Sequence, residues 1–352
     1  MARAGLGAGW TCLFANDADE KKARAYRANW GADALRVGDI RDLEASDLPG
    51  RADLAWGSFP CQDLSLAGAG AGLNGARSGT FHAFWRLIAG LATEGRAPGL
   101  VVLENVCGAL TSHRGDDFTA ICGAFARHGY RLGPLVIDAA VFRPQSRPRL
   151  FLVGVRNGIA IDPVLTSGAP TSQGLSRAAA NAGLEAIWWA LPAPPRRNFA
   201  LADIIENEPT GVGWHTPSQT SHLLSLMSAV NLKKVRSARA GGRRAVGAVY
   251  RRTRTDETGR RIQRAEVRFD DVAGCLRTPA GGSSRQTLLI VEGDTVRSRL
   301  ISARETARLM GLPDDYTLPP SYTDAYHLTG DGVVVDVVRH LARHLLEPLL
   351  AR

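Results

Sequence analysis

Short apolar runs alternate with stretches of helical periodicity along the first half of the chain. The apolar runs predict buried strands, and the stretches between them carry apolar residues at helical spacing. This alternation predicts an α/β fold, with a doubly wound and mostly parallel sheet that has helices on both faces. In such sheets, ligand sites lie beyond the carboxyl ends of the strands. The predicted strands are Thr11–Ala15, Ala34–Val37, Asp53–Trp56, Leu100–Glu104, Leu132–Val141 and Leu150–Val155, and the predicted helices are Lys21–Asn29, Phe81–Leu91 and Phe118–His128.

The pattern changes at a Pro-rich stretch, Leu191–Pro195, which we interpret as a domain boundary. Residues 197–291 then have weak periodicity and many Gly, Arg, Ser and Thr residues, which predicts a smaller, loop-rich domain. Helical patterning returns where Ser302 and Glu305 form a capping-box pattern that ends before Gly311. We therefore predict a first domain over 1–195, a second over 196–292, and a C-terminal segment, 293–352, that returns to the first domain.

Composition describes a globular chain that is large enough for more than one domain. It has 352 residues, of which 45% are hydrophobic and 22% charged. No apolar run reaches the roughly 18 residues that a membrane span needs, and the N-terminus has no signal-peptide core. The five cysteines are scattered without a Cys-x-x-Cys pair, so neither a zinc site nor a disulfide framework is predicted. A reducing cytoplasm is therefore the expected compartment.

Positive charge is concentrated in one segment. Residues 233–268 contain thirteen Lys or Arg and three acidic residues, whereas the whole chain has a formal net charge of +9. Such a concentration is typical of a surface that binds a polyanion. A solvated basic loop would have the same composition, so charge alone does not decide between the two interpretations.

Three short motifs carry candidate chemistry near predicted strand ends. Cys61 follows a strand in Phe-Pro-Cys-Gln and is a candidate nucleophile, which requires its thiolate form. Glu104 ends a strand and is a candidate proton donor if burial keeps it protonated. Arg147 and Arg149 are two residues apart on a predicted strand, so both side chains should leave the same face.

Each motif alone also has a plainer interpretation. A single cysteine is more commonly a buried structural residue. A carboxylate after a strand often caps a helix, and two alternate arginines often lie on an exposed strand. The order in which the three motifs occur, rather than any one of them, favours chemistry.

The ordered motifs resemble the DNA (cytosine-5) methyltransferase family, and the resemblance spans nearly the whole chain. Only the basic segment matches poorly, and in this family that region reads DNA sequence and varies. Further matching blocks are Asn16–Asp19, Gly38–Ile40, Asp53–Gly57, Arg77–Thr80, Arg277–Pro279, Gly281–Ser284, Glu305–Pro313 and Ala325–Val333.

The resemblance implies a mechanism and a cofactor. The Cys61 thiolate would add to C6 of cytosine, Glu104 would protonate N3, and Arg147 and Arg149 would bind O2 and brace the site. S-adenosylmethionine would donate the methyl group, and no metal is expected. Asp17 would hold the ribose of S-adenosylmethionine, and Asp39 and Ile40 would hold its adenine. Pro60 would also line the cofactor site.

The implied substrate is duplex DNA with the target cytosine flipped out of the helix. The basic segment would hold mainly phosphates and read a few base edges. A restriction endonuclease acting on the same site is a further candidate partner. We expect a monomer that acts in the cytoplasm on the bacterial nucleoid. The predicted DNA-binding residues are Gln62, Ser65, Lys233, Lys234, Arg251, Arg252, Arg254 and Arg277.

The chain departs from the family pattern at its start. The family's first strand ends in a Phe-x-Gly-x-Gly turn beneath the cofactor, whereas this sequence opens at Met1 in what resembles the following helix. The first strand is therefore predicted to be missing, which would expose two inner strand edges. Either the true start lies upstream or this version binds its cofactor weakly. A smaller departure is Gly330-Asp331-Gly332-Val333, where the family usually has Gly-Asn before the valine.

Other functions remain open at this point. A truncated form would act mainly as a DNA binder, and an RNA cytosine methyltransferase would share the motifs. A nicotinamide-dependent oxidoreductase needs Gly-x-Gly-x-x-Gly after a strand, which is not found in that setting. An adenine amino-methyltransferase would carry an Asp-Pro-Pro-Tyr-like run where this chain has Ser58–Cys61.

Overall fold

The computed structural model describes residues 1–59, 80–255, 258–278 and 285–351. Contacts divide the chain into two compact units. Unit A consists of residues 2–138, 148–194 and 337–352, and unit B of Met1, residues 139–147 and residues 195–336.

Strands and helices of the described residues are numbered in chain order. The strands are β1 (Ala15–Asp17), β2 (Leu35–Val37), β3 (Leu54–Gly57), β4 (Leu100–Val106), β5 (Tyr130–Asp138), β6 (Pro148–Arg156), β7 (Ala245–Thr255), β8 (Arg261–Arg268), β9 (Thr287–Glu292) and β10 (Thr295–Leu300). The helices are α1 (Ala2–Leu6), α2 (Glu20–Trp30), α3 (Thr80–Thr93), α4 (Asp116–Arg127), α5 (Gln173–Asn181), α6 (Leu201–Ile204), α7 (Pro217–Ser225), α8 (Ala229–Ala240), α9 (Ala303–Leu309), α10 (Tyr322–Asp331), α11 (Val335–Leu341) and α12 (Glu347–Leu350), with a π-helical turn at Ala342–Leu346.

The main sheet of unit A has the strand order β3-β4-β6-β5. β3 and β4 are parallel, and β6 runs antiparallel to both of its neighbours, β4 and β5. Three of the four strands therefore point the same way, which confirms the mostly parallel sheet. The carboxyl ends of β3, β4 and β5 lie at one end of the sheet, and β6 starts from that same end.

A second, two-stranded sheet in unit A is formed by β1 and β2, which are parallel. Among the described residues, β1 pairs with no strand other than β2, and β3 with none other than β4. All residues of β1 and β3 are only half-buried, whereas six of the seven residues of β4 are buried.

The core of unit A explains why its central strand is a continuous apolar run. Leu100 to Leu103 of β4 are at most 1% exposed, so both faces of the strand are buried. Aromatic side chains of α3 and α4 fill one side, with Trp85 in edge contact with Phe125 at a centroid distance of 4.9 Å. The predicted helices thus bury the faces that their periodicity indicated.

Unit B contains an antiparallel sheet with the order β10-β9-β7-β8. Its hydrophobic core contains Leu223 of α7 and Met227 of the connection between α7 and α8. These two side chains cluster with Val249, Val267 and Leu289 of the sheet. The segment after Pro195 therefore has far more regular structure than the loop-rich domain that we predicted. The strands were missed because Arg and Thr occupy both faces of β7 and β8, which removes the apolar–polar alternation.

The start of α9 in unit B confirms the predicted capping box. The Ser302 side chain accepts a hydrogen bond from the Glu305 backbone N–H, and Glu305 accepts one from the Ser302 backbone. Glu305 also binds Arg299 through two hydrogen bonds of 2.6 and 2.8 Å, with both side chains fully buried. The cap thus anchors a buried ion pair as well as a helix end.

Among the residues that the structure describes, none of the helices combines the length and the apolar character needed to cross a lipid bilayer.

We predict that Gly133→Ala destabilises unit A. An added Cβ would lie 2.0 Å from Trp189 Nε1 and 2.7 Å from the Ile187 carbonyl oxygen, in a core that cannot expand. Overpacking of this kind costs about 1–3 kcal/mol or more in the free energy of unfolding, measurable by urea denaturation. Gly9→Ala is the matched control, because no atom lies within 4 Å of its added Cβ. Equal stability of the two variants would contradict this packing.

Candidate active site

Glu104 and Arg149 form an ion pair near the carboxyl end of β4 and the start of β6. The Arg149 Nε atom lies 3.2 Å from Glu104 Oε1, and the two side chains are 14% and 8% exposed. The antiparallel register places Glu104 opposite Phe151 and Val106 opposite Arg149. Glu104 and Arg149 are therefore diagonal neighbours on one face of the sheet, which is the geometry of cross-strand contact.

Arg147 is placed differently from the sequence prediction. We expected Arg147 and Arg149 on one strand face, but β6 begins only at Pro148. The Arg147 side chain is 2% exposed and lies inside unit B. Its guanidinium donates to three backbone carbonyl oxygens at 2.6–2.9 Å. These belong to Leu276, Gly330 and Gly332.

Gln145, two residues before Arg147, is fully buried in unit B and fixes the same part of the chain. Its Nε2 donates to the Leu309 carbonyl at 3.1 Å, and its Oε1 accepts from the Leu276 backbone N–H at 3.2 Å. Gln145 and Arg147 thus both bind the backbone at Leu276. The two side chains hold the segment immediately before Arg149 in place.

Asn105 links the end of β4 to the residue that precedes the nucleophile motif. Its side-chain Nδ2 donates to the Phe59 carbonyl at 3.2 Å, and its Oδ1 accepts from the Val106 backbone N–H at 2.8 Å. Asn105 therefore braces the end of β4 against the backbone at Phe59. The predicted site residues Pro60, Cys61, Gln62 and Ser65 lie outside the described residues.

Two described cysteines provide a comparison for nucleophile chemistry. Burial raises the pKa of Cys107, although nearby Arg149 opposes this shift. Burial also raises the pKa of Cys122 to about 12. A thiolate is the reactive form of cysteine, so neither thiol is activated by its surroundings.

The predicted cofactor residues follow two adjacent parallel strands. Asp17 ends β1 and pairs with Val37 of β2, after which Gly38 and Asp39 leave the sheet. The Gly38 backbone N–H donates to the Asp17 carbonyl at 3.1 Å, and Asn16 Nδ2 donates to the Gly38 carbonyl at 2.9 Å. Gly38 has φ +151°, a conformation that side-chain-bearing residues rarely adopt. The two carboxylates therefore lie at the same end of this small sheet, which suits hydroxyl and amine donors of a nucleoside.

Asp39 already has a partner in the structure. Its carboxylate accepts from the Arg41 backbone N–H at 2.9 Å and from the Arg41 guanidinium at 2.6 and 3.0 Å. These hydrogen bonds lower the pKa of Asp39 to about 2. Ile40 is half-buried and begins the 3₁₀ turn that Asp39 caps. The sequence analysis did not identify Arg41 as the partner of Asp39. The spacing of an Arg two residues after an Asp was the available signal for this contact.

The predicted DNA-binding residues of the described chain lie in unit B. Lys233 and Lys234 are on α8. Lys234 Nζ donates to the Val267 carbonyl at 3.0 Å, so this ammonium group is bound to the backbone of β8. The remaining residues are exposed at the surface: Arg251, Arg252 and Arg254 on β7, and Arg277 in the segment after β8.

Comparisons with known proteins show the family of the chain. A family model described as C-5 cytosine-specific DNA methylase matches residues 2–347. Type II methyltransferase M.MspI of Moraxella sp. is 26% identical over 339 residues, covering 96% of this chain and 65% of that protein. M.HpaII of Haemophilus parainfluenzae is 24% identical, with 97% and 84% covered. The structure of S. pombe Dnmt2 methyltransferase is similar in fold, with a TM-score of 0.56, 20% identity and 99% and 94% covered.

The chain belongs to the C-5 cytosine-specific DNA methylases, a family that methylates cytosine in DNA. It spans slightly less than two thirds of the Moraxella relative's length.

We predict that Arg149→Met destabilises the protein by about 3 kcal/mol, because it leaves Glu104 buried without its counter-ion. The double variant Glu104→Gln with Arg149→Met should recover part of this loss, as a double-mutant cycle by urea denaturation would show. Arg27→Met is the control, since Arg27 pairs with Glu20 at an exposed position and its loss should have little effect. Strict additivity of the two site substitutions would argue against a coupled pair.

Proposed function

We propose that the chain methylates C5 of cytosine in duplex DNA through a covalent adduct between Cys61 and C6 of the base. The observation that carries this proposal is the buried Glu104–Arg149 pair at the edge where β4 ends. A carboxyl group and a guanidinium on one face, in a chain that also carries the Pro60-Cys61-Gln62 motif, match the needs of one polar pyrimidine ring. Family membership supports the same reaction class.

Chain connectivity supports the assignment of Cys61. Asn105, the neighbour of Glu104, binds the Phe59 carbonyl. Two residues of extended chain span at most about 7 Å, so the Cα of Cys61 stays within that distance of Phe59. The described cysteines nearest in sequence to Glu104, Cys107 and Cys122, have raised pKa values and are poor candidates.

The proposed steps balance protons and electrons on the residues of the chain. The Cys61 thiolate forms a bond to C6, and the ring electrons move toward N3 and C5 while Glu104, in its neutral form and with Oε1 still beside Arg149, donates its proton to N3. C5 is then nucleophilic and takes up a methyl group, which S-adenosylmethionine supplies as an electrophile when bound. Loss of the C5 proton to a base, return of the Cys61 bond electrons to sulfur and return of the N3 proton to Glu104 restore the aromatic ring.

Arg149 and Arg147 would have different tasks in this scheme. Arg149 would hold Glu104 in place and donate a hydrogen bond to O2 of the cytosine. Arg147 is bonded to three carbonyl oxygens in unit B, so it would act as a positioning residue for Arg149 rather than on the base. Removing it would leave those buried carbonyls without their donor.

The methyl donor would lie at the ends of β1 and β2. Asp17 would accept from the ribose hydroxyls, Asp39 from the adenine amine, and Ile40 would pack on the adenine ring, with Pro60 beside them. The adjacent carboxyl ends of the two strands fit this donor set. Asp39 would have to release part of its contact with Arg41 to do so.

The segments 1–195 and 293–352 would carry catalysis and the cofactor, and 196–292 would recognise DNA. Lys233, Arg251, Arg252, Arg254 and Arg277 would contact the duplex, as would Gln62 and Ser65 from the nucleophile side. Lys234 would contribute charge only. Because the relatives are named Type II methyltransferases, a restriction endonuclease with the same target site is the proposed partner of a monomeric enzyme.

Covalent trapping tests the chemistry. Duplex DNA containing 5-fluorocytosine, incubated with the protein and S-adenosylmethionine, should form a stable adduct, because fluorine at the methylated C5 cannot leave as a proton does and the elimination stops. Wild-type protein and Cys12→Ser should both give the adduct on a denaturing gel, and Cys61→Ser should give none. An adduct with Cys61→Ser would reject the mechanism. The same assay with single-stranded and duplex RNA separates the DNA enzyme from an RNA cytosine methyltransferase.

The cofactor site is tested by direct binding of S-adenosylmethionine in calorimetry. Asp39→Ala should weaken binding by about tenfold, since it removes one hydrogen bond worth roughly 1.5 kcal/mol. Arg41→Gln should strengthen binding several-fold, because it frees the Asp39 carboxylate. If Arg41→Gln instead weakens binding as much as Asp39→Ala does, Arg41 contacts the cofactor and does not compete with it for the Asp39 carboxylate.

A further inference from the structure

Helix α3 of unit A packs against residues 39–43, which we call the Asp39 turn. Arg86 and Gly90 are four residues apart on α3 and therefore share the helix face that meets this part of the chain. A Cβ added at Gly90 would lie 2.7 Å from the Ala45 Cβ, so the chain just after the turn approaches the helix closely at this glycine. Another face of α3 is buried in the core of unit A through Trp85. The helix thus connects the core of the unit to the Asp39 turn.

Arg86 binds the end of the Asp39 turn through three hydrogen bonds. Its Nη2 donates to the carbonyl oxygens of Arg41 and Leu43, each at 2.8 Å, and its Nη1 donates to Glu44 Oε1 at 2.9 Å. The last carbonyl groups of a helical turn have no partner within the turn, so they need a donor from elsewhere. Leu43 is 3% exposed, which leaves little room for water to replace the guanidinium at its carbonyl.

The Asp39 turn has little internal support of its own. The Asp42 backbone N–H donates to the Asp39 carbonyl at 3.0 Å, and the Leu43 backbone N–H donates to the Ile40 carbonyl at 3.3 Å. These bonds close a single 3₁₀ turn, and so short a helical segment is not stable by itself. The conformation of the turn therefore depends on contacts from outside it, of which Arg86 supplies two to the backbone.

The N-terminal end of α3 adjoins the residue that precedes the nucleophile motif. The ring of Phe81, in the first turn of the helix, lies 5.4 Å from the ring of Phe59, and Phe59 is two residues before Cys61. An α-helix is a rigid element, and the five residues from Phe81 to Arg86 span about 7.5 Å along its axis. Helix α3 therefore fixes the distance between the Asp39 turn and the backbone at Phe59.

We propose that Arg86 is a positioning residue for the methyl donor. By binding the carbonyl oxygens of Arg41 and Leu43, it holds the Asp39 turn in the conformation that presents Asp39 and Ile40 to the adenine. This inference rests on the proposed function, because it takes Asp39 and Ile40 as the adenine contacts. A turn that is already ordered binds its ligand without the entropic cost of ordering it. Arg86 therefore acts on the affinity for S-adenosylmethionine and not on the chemical step.

The shape of the arginine side chain matters for this role. A guanidinium donates from several nitrogen atoms in one fixed plane, so a single group reaches both carbonyl oxygens and the Glu44 carboxylate. A lysine at this position would keep the charge but not the planar fork. Arg86→Lys should therefore retain part of the function, whereas the shorter, neutral side chain of Arg86→Gln should lose most of it.

Arg96 provides a matched control in the same part of unit A. Its Nη1 donates to the carbonyl oxygens of Leu48 and Gly50 at 2.8 and 2.5 Å, and its Nη2 donates to the Ala45 carbonyl at 3.1 Å. Like Arg86, it binds backbone carbonyl groups of the chain after β2, but those groups lie beyond the Asp39 turn. Arg96→Gln should therefore remove a similar set of hydrogen bonds without loosening the Asp39 turn.

Calorimetric titration of the intact protein with S-adenosylmethionine tests the proposal. Arg86→Gln should raise the Kd about fivefold, Arg86→Lys should raise it about twofold, and Arg96→Gln should leave it within a factor of about 1.5. In methylation of duplex DNA, Arg86→Gln should raise the KM for S-adenosylmethionine by the same factor and leave kcat within about twofold, as expected for a loss of binding alone. A Kd that stays constant or falls in Arg86→Gln, or that rises equally in Arg96→Gln, would overturn the proposal.

Amide hydrogen exchange locates the effect along the chain. In protein without S-adenosylmethionine, Arg86→Gln should speed exchange of the Asp42 and Leu43 amides, which close the Asp39 turn, whereas Arg96→Gln should speed exchange of the Leu48 amide. Exchange at Asp42 and Leu43 that equals that of the wild type in Arg86→Gln would also reject the proposal, even where the Kd changes. Arg86→Lys gives the same two measurements if Arg86→Gln does not fold.

Failure of the proposed function is distinguishable from failure of the Arg86 proposal. Wild-type protein that binds no S-adenosylmethionine overturns the proposed cofactor site and the role of Arg86 together. Wild-type protein that binds S-adenosylmethionine, with an Arg86→Gln variant of the same affinity, overturns the role of Arg86 alone and leaves the proposed function in place.

Discussion

The register between β4 and β6 is the constraint on which the site depends. It puts Arg149 opposite Val106 and thereby makes Arg149 the diagonal neighbour of Glu104. A slip of one residue would move Arg149 to the other face of the sheet and leave Glu104 without its counter-ion. The register is firm because β4 is buried on both faces and β6 is almost fully buried from Leu150 to Val155. Packing of an apolar strand thus determines the position of two charged side chains.

Two arginines separated by one proline have opposite environments. Arg149 lies at the open edge of the unit A sheet, and Arg147 is enclosed in unit B, where carbonyl oxygens of three residues accept its protons. The chain passes from one unit to the other between Arg147 and Pro148. The buried carbonyl contacts fix the Arg147 side chain within unit B, immediately before this crossing. The rigid backbone at Pro148 adds to this restriction.

Sequence reasoning succeeded where one physical signal dominated. Continuous apolar runs located β4 and β6, and the capping box at Ser302 located the start of α9. It failed where charge concealed the pattern, as on β7 and β8, although the Asp-Glu-Thr-Gly run between them was a turn signal that could have revealed the hairpin.

The site was only partly accessible to the same reasoning. The proximity of Glu104 and Arg149 followed from the expectation that ligand sites lie at strand ends. The direction of the Arg147 side chain did not follow, because spacing along a strand applies only where the strand exists. The Asn105–Phe59 contact and the partner of Asp39 depend on side-chain geometry that no residue pattern specifies.

Under the proposed function, the exposed pair of Asp39 and Arg41 would give the protein two opposite responses to ionic strength. Salt screens exposed charges that are more than a Debye length apart, about 8 Å under physiological conditions, and it also weakens exposed ion pairs at the surface. Higher salt would therefore loosen the hold of Arg41 on Asp39 while it weakens the attraction of a basic surface for phosphates. An enzyme that needs S-adenosylmethionine and DNA at once would work best at an intermediate salt concentration. Binding of S-adenosylmethionine would limit activity at low salt, and binding of DNA would limit it at high salt.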